Sequence, residues 1–223
     1  NRHLICVTIT SQGSGIYNAA CLARKMVLEK QPAGGEEVTI DVVDSAAYTY
    51  VYGHAVVKAA KAAREGMDRE GVLELLHREL TTYQVYFGLT NLDFAKKSGR
   101  ITSTAAFVGE VLGLRPIISI IDGKTTVIEK VRGDKNLITR LAEVGYANCA
   151  DKKAPTVVVY GSAAECGEEM SKAISKRFGH SPKALWQAGA AIVINAGPKV
   201  VGLIVRGKKR LNTRAREQDY EQV

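Results

Sequence analysis

The sequence lacks most of the features that announce a chemistry. No apolar run approaches the roughly 18–20 residues that cross a bilayer as a helix. The opening NRHLICVTIT has neither a long apolar segment nor a small-residue cleavage site, so it does not read as a secretory signal. It also has no starting methionine and runs directly into strand-like residues, from which a missing beginning is expected. The four cysteines, Cys6, Cys21, Cys149 and Cys166, form no CxxC pair and no metal-type spacing, and the four histidines are scattered. The expectation is reduced thiols in a cytoplasmic protein, with Cys6 and Cys21 acting as small buried hydrophobes, and no metal site. No Ser-His-Asp, Cys-His, H-x-E or paired-carboxylate motif assembles locally. That argues against a self-sufficient hydrolase, and no catalytic residue is assigned.

What is present is ordinary for a globular chain: 223 residues, 46% of them apolar and 24% charged, enough to bury a real core. The net charge of +8 is unevenly spread. Residues 206–216, RGKKRLNTRAR, contribute six basic side chains and no acidic one. Such a run either attracts nucleic acid or an anionic surface, or is a solvated tail beyond the last strand. The tail reading is preferred, and nucleic acid is not expected as a partner.

The first part alternates strand and helix. Residues 3–10 read as a strand, and 14–30 as a helix with Ile16, Ala19, Ala20, Ala23, Met26 and Val27 on one face. VTIDVVDS reads as a second strand and residues 54–66 as an alanine-rich helix. This βαβα order implies a parallel sheet with ligands beyond the carboxyl ends of its strands, where Thr10 to Gly15 lie. A charged helix over 68–80 and the strand QVYFGL follow, then a helical pair, LTNLDFAKK and residues 103–112, broken at Ser98-Gly99-Arg100. Thr90 with Asp93 resembles a capping box, and Gly99 suits a left-handed C-cap. IISIIDGKTTVIEKV reads as a hairpin turning at Asp122-Gly123. A helix over 134–144, the strand TVVVYG, a helix over 163–178 and the strands KALWQ, AIVIN and VVGLIV complete the chain. The fold class is α/β in two domains. One has a parallel βαβ sheet (residues 1–75) and the other a mixed or mostly antiparallel sheet (76–205), with a basic tail over 206–223.

VTITSQGSGIYNAA is the stretch most suggestive of a ligand. It is not a Walker loop, having no GxxxxGK[ST], and it is not GxGxxG. A strand–turn–helix junction of this kind presents backbone amides and the positive end of a helix dipole to an anion. Its hydroxyls, Thr10, Ser11 and Ser14, can hydrogen-bond a carboxylate or a phosphate, or Ser14 can simply cap the helix. In KSGRIT, Arg100 can clamp an anion or complement the dipole of the helix before it. A helix-turn-helix reading fails because TAAFVGEVL offers no outward Arg, Lys, Asn or Gln to read bases.

Three stretches together resemble the DegV family of bacterial fatty-acid-binding proteins. TITSQGSGIYNAA is similar to the family's S-S-x-x-S-G-T-Y-x-x-A, with Ser11, Ser14, Gly15, Tyr17 and Ala20 in register. The long run from YFGLTNLDFAKKSGRI to KVRG resembles L-x-x-L-x-x-G-G-R-I, K-P-I-L, a DG hairpin and K-x-R-G. INAGPKVVGLIV resembles the closing H-x-G-P-G-x-x-G, and VVDS fits the family's second-strand ending. The resemblance implies a long-chain fatty acid as ligand, no cofactor, and a fatty acid kinase as partner that phosphorylates the bound carboxylate for phospholipid synthesis. It implies that Ser11 hydrogen-bonds that carboxylate, with Thr10, Ser14 and Gly15 around it. It places Arg100 and Asn195 at the head group or the kinase-facing surface. The small-residue helices over 55–64 and 105–112 are candidate tunnel walls.

The chain departs from the family pattern at several points. The family's N-terminal region, with a first strand and a T-S-Q-P-type loop, has no counterpart here. Asn195 replaces the family histidine and cannot become a cation; Ser98 replaces a glycine, and Lys199 replaces the second glycine of GPG. Two other functions compete: a nucleic-acid or anionic-surface binder using the basic tail, and an enzyme holding a phosphate ester at Thr10 to Gly15.

Overall fold

The computed structural model describes residues 3–31, 38–100 and 113–208. They fall into two compact units. Unit 1 takes in residues up to Thr81 with the turn Asp122–Lys124, and unit 2 runs from Thr82 to Ile121 and onward from Thr125.

In unit 1, β1 (His3–Thr8) and β2 (Thr39–Asp44) pair in parallel, with Val7 opposite Val43. Around them lie α1 (Ile16–Leu28), α2 (Tyr50–Arg64) and α3 (Arg69–Thr82). The core is Val43, Ala55, Ala59, Val72, Leu76 and Leu80. Ala55 and Ala59 are therefore packing residues of α2 in this core. Two ion pairs tie α3 to its neighbours: Arg69 grips Asp41 of β2 through Nε and Nη2 at 2.7 and 2.5 Å, and Lys58 of α2 meets Glu79 at 2.8 Å. A two-pronged guanidinium–carboxylate contact fixes orientation as well as distance. α1 differs from expectation. Its apolar residues line one face, yet none is buried, and Ile16, Met26 and Val27 are each about half exposed. Cys6 is exposed too, correcting its reading as a buried hydrophobe, and all four thiols are free.

Unit 2 is built on a six-stranded sheet in the order β5-β4-β3-β8-β6-β7. The strands are β3 (Tyr83–Gly88), β4 (Leu114–Ile121), β5 (Lys124–Arg132), β6 (Val157–Tyr160), β7 (Ala184–Gln187) and β8 (Val201–Arg206). β3 pairs antiparallel with β4 and β8, β8 antiparallel with β6, and β6 parallel with β7, so the sheet is mixed as the sequence led us to expect. Both faces are covered, which explains why its strands are apolar at successive positions. Ile117, Tyr86 and Leu203 pack beneath α5 (Asp134–Asn148) and α6 (Ala164–Phe178), with Leu137, Leu141, Met170 and Ile174. Ile118 points the other way, to Leu89, Val200 and Ala95 of α4 (Asp93–Ser98).

Two local expectations change. AIVIN is not a strand but the middle of α7 (Ala190–Ala196), ended by Gly197. The segment meets its backbone hydrogen bonds locally, Val193 N–H to Gly189 O and Gly197 N–H to Val193 O, and so does not add to the edge strand β7 that precedes it. The Thr90/Asp93 capping box does not form; Asn91 Oδ1 instead accepts the Asp93 N–H at 2.7 Å. Gly99 is the left-handed C-cap expected. The helix anticipated over 103–112, with its candidate tunnel wall, lies outside the described residues, as does the basic run beyond Lys208. Arg206 itself ends β8, opposite Tyr83.

The buried Tyr86 hydroxyl donates to Gln84 Oε1 at 2.5 Å, and burial pushes its pKa well up, with a smaller contribution from Cys149. As pH rises the unfolded phenol ionises first, so stability falls above the ordinary tyrosine range. In urea titrations Tyr86→Phe is expected to lose less stability between neutral and strongly alkaline pH than the parent chain. At the hairpin, Asp122 (φ 47°) and Gly123 (φ 77°) form the expected tight turn. A Cβ on Gly123 would also sit 2.3 Å from Thr10 Oγ1. Gly123→Ala is expected to cost about 1–3 kcal/mol, read as a lowered denaturation midpoint.

Candidate functional site

The loop after β1 is organised by one buried carboxylate. Asp44, at the end of β2 and 4% exposed, accepts the Ser11 N–H at 3.1 and 3.2 Å and the Ala46 N–H at 2.9 Å. On either side the backbone continues the strand pairing, with Ser45 N–H to Thr8 O and Thr10 N–H to Ala47 O, both 3.2 Å. Ser45 Oγ closes a small turn by accepting from Ala47 N–H and donating to Ala47 O. Gly13 lets the loop lie against Tyr48, whose hydroxyl a Cβ would meet at 1.9 Å.

The hydroxyls of this loop are not equivalent. Thr10, fully buried, donates to Gly123 O at 3.0 Å and accepts from Gln12 N–H at 3.2 Å, so its only proton is spent inside the protein. Ser14 Oγ accepts the Ile16 N–H at 3.3 Å and keeps its proton, but the N-cap of α1 is Gly15, without a side-chain cap, because the helix begins one residue later than capping by Ser14 requires. Ser11 Oγ makes no hydrogen bond among the described residues and is partly exposed. The amides are less available than an open cradle supposes. Those of Thr10, Ser11, Gln12, Gly13 and Ile16 are all engaged internally. The donors left include the hydroxyls of Ser11 and Ser14 and the N–H groups of Ser14 and Gly15. A neutral donor set next to a helix start can hold an acid group without supplying any formal positive charge.

Thr10, Ser11, Ser14 and Gly15 are thus brought together in unit 1, while Arg100 and Asn195 belong to unit 2. Arg100 is exposed beyond α4, and its Nη1 donates to Ser98 O at 2.6 Å, folding the guanidinium back on the helix end. Thr125 Oγ1 donates to the Arg100 carbonyl at 2.5 Å. Asn195 lies on α7 with Nδ2 donating to Ala191 O at 2.7 Å, which commits its amide nitrogen to the helix. Unit 2 also has a cleft of about 320 Å³ lined by Thr90, Asn91, Phe94, Asp134, Pro198 and Lys199. Near it, burial holds the Cys166 thiol above its ordinary pKa, helped by Glu165 and Glu169 and opposed by Lys199. No group of His, Cys, Asp and Glu suited to a metal ion occurs among the described residues, and no described helix is long and apolar enough to cross a membrane.

Sequence reasoning missed Asp44, Tyr48 and Gly123 as the supports of this loop. VVDS did carry a signal, an acid at a strand terminus facing a glycine- and serine-rich turn. Asp44→Ala removes the acceptor of two N–H groups in a buried place. It is expected to lower folding stability by about 2–4 kcal/mol in a denaturant titration, with Asp44→Asn recovering part of the loss.

Residues 1–208 match the model of the DegV family, described as uncharacterised proteins. A DegV domain-containing protein of Clostridium perfringens is 32% identical over 207 residues, covering 92% of this chain and 70% of that protein. The fold is similar to that of a DegV family protein from Eubacterium eligens loaded with heptadecanoic acid. The TM-score is 0.77 at 23% identity, over 93% of this chain and 74% of that one. A stearic-acid-binding protein from Eubacterium ventriosum gives a TM-score of 0.71 at 26% identity, over 91% and 70% of the two chains.

Proposed function

The chain belongs to the DegV family, and on that footing we propose that it binds a long-chain fatty acid and presents the carboxylate to a fatty acid kinase. The observation that carries this reading is the free Ser11 hydroxyl in a loop whose other parts are hydrogen-bonded in place. The stearic-acid-binding relative supports the ligand class. Ser11 donates to the carboxylate, Ser14 and Gly15 supply further donors, and Thr10 positions the loop through Gly123. Arg100 and Asn195 belong, on the same reading, to the head-group or kinase-facing surface. The chain itself is a lipid carrier and not the phosphotransferase. The kinase's product, an acyl phosphate, would feed phospholipid synthesis in the bacterial cytoplasm.

Magnitudes divide the work between tail and head. Some fifteen methylenes at ~0.8 kcal/mol each offer ~12 kcal/mol gross on burial. A single neutral hydrogen bond contributes about 1 kcal/mol. The tail supplies affinity, and Ser11 supplies orientation and the choice of an acid.

Native mass spectrometry of the freshly purified protein is expected to reveal a co-purifying fatty acid; an empty or nucleotide-bound protein overturns the reading. Ser11→Ala is expected to weaken fatty-acid binding about fivefold, the equivalent of one hydrogen bond, in a displacement titration with a fluorescent fatty acid. Unchanged affinity removes Ser11 from the site. With a bacterial fatty acid kinase and ATP, acyl phosphate should form only when the chain is present.

A further inference from the structure

Unusual backbone angles in this chain gather around one loop. Three non-glycine residues among the described ones have a positive φ: Ala46 at 47°, Thr49 at 55° and Asp122 at 47°. An aspartate tolerates that region in a turn, whereas Ala46 and the β-branched Thr49 adopt it at a cost. Asp122 belongs to the turn whose Gly123 O accepts the Thr10 hydroxyl. Ala46 and Thr49 stand on either side of Tyr48, which is half-buried and lies against Gly13. All three positions therefore border the segment from Thr10 to Gly15.

The anchors on both sides of Tyr48 account for the strain. As far as Ala47 the chain is tied down by Asp44, which accepts the Ala46 N–H, and by the Thr10 N–H on Ala47 O. From Tyr50 onward it is α2, with Val51 and Ala55 buried and the Tyr50 and His54 rings stacked, 5.1 Å between centroids. Only Tyr48 and Thr49 are left to join the two, and Thr49 takes φ 55° and ψ −132° to do so. The Tyr48 side chain thereby has its direction set by its neighbours, and that direction is toward Gly13. A Cβ on Gly13 would collide with the Tyr48 hydroxyl and stand 2.9 Å from ring carbon Cζ. Gly13 is not among the glycines with positive φ, so its backbone would accept alanine; the tyrosine is what requires the glycine.

We propose that Tyr48 is the positioning residue of this loop, its ring seated on Gly13 so that the Ser11 hydroxyl is held in register with Ser14 and Gly15. The proposal rests on the acyl-binding reading above and adds to it a residue that acts through Ser11. Gly13 lies between Ser11 and Ser14, so the ring bears on the middle of the donor set. Asp44 holds the Ser11 N–H and Gly123 holds Thr10, but neither reaches the far side of Ser11. A glycine there gives the chain its greatest freedom, and the ring removes that freedom before a ligand arrives.

The test measures displacement of a fluorescent fatty acid by hexadecanoic acid and by hexadecanol. The ratio of the two affinities reports recognition of the acid group apart from the tail. Tyr48→Ala is expected to lower that ratio about threefold to fivefold, approaching the effect of Ser11→Ala. Tyr48→Phe, which keeps the ring, should restore most of it. Placed in the Ser11→Ala chain, Tyr48→Ala should lower the ratio no further, because both changes remove one interaction. Gly13→Ala reaches the same contact from the loop and should also lower the ratio; it decides the matter if Tyr48→Ala fails to fold. A ratio unchanged in Tyr48→Ala or Gly13→Ala, even with both affinities reduced, overturns the proposal. So does a failure of Tyr48→Phe to recover the ratio, or full additivity of Tyr48→Ala with Ser11→Ala. A parent chain that binds no acid, or does not prefer it to the alcohol, overturns the acyl-binding reading and this proposal with it.

Discussion

A buried carboxylate at the end of β2 decides what the loop after β1 can do. Asp44 takes the Ser11 and Ala46 N–H groups, and with them fixes two chain segments that two backbone hydrogen bonds, Ser45 to Thr8 and Thr10 to Ala47, also join. Leaving those N–H groups buried without an acceptor would cost more than the bonds themselves contribute, so the carboxylate is structural before it is anything else. Its second consequence is electrostatic. On the proposed reading, an acid group at this loop meets the Asp44 carboxylate close to the Ser11 amide, so its recognition falls to the hydroxyl donors.

This arrangement narrows the broad expectation of an anion cradle to particular atoms. Residue types alone marked Thr10, Ser11 and Ser14 as equivalent hydroxyls. Packing separates them: Thr10 is turned inward to Gly123, Ser14 serves the first turn of α1, and Ser11 is left over. The partner of Thr10 lies 113 residues away in sequence, and no local pattern could have indicated it. Asp44 was visible only as the acid of VVDS, with nothing local to say that it faces the chain 33 residues earlier.

Most of the architecture was legible for a physical reason: long amphipathic helices and apolar strands advertise themselves by periodicity. The DG turn and the left-handed Gly99 were legible because few residues tolerate those backbone angles. The exceptions share a different cause. AIVIN has the β-branched composition of a strand, but between Gly189 and Gly197 its backbone closes helical hydrogen bonds on itself and leaves the edge of β7 alone. Met26 and Val27 have the spacing of a buried helix face, yet the half-buried side of α1 is the one with Ala20, Cys21 and Leu28, and none of its residues is fully buried. Periodicity reports what a segment could bury; tertiary structure decides whether it does.

The segment from Thr10 to Gly15 contains no charged residue, so on the proposed reading its donors act through short-range hydrogen bonds that salt barely screens. The net charge of +8 comes from the rest of the chain, and attraction by surface charge reaches about a Debye length and weakens as salt is added. Recognition of a carboxylate by this loop then depends on where its hydroxyls and amides stand, and the basic character of the chain contributes little to it.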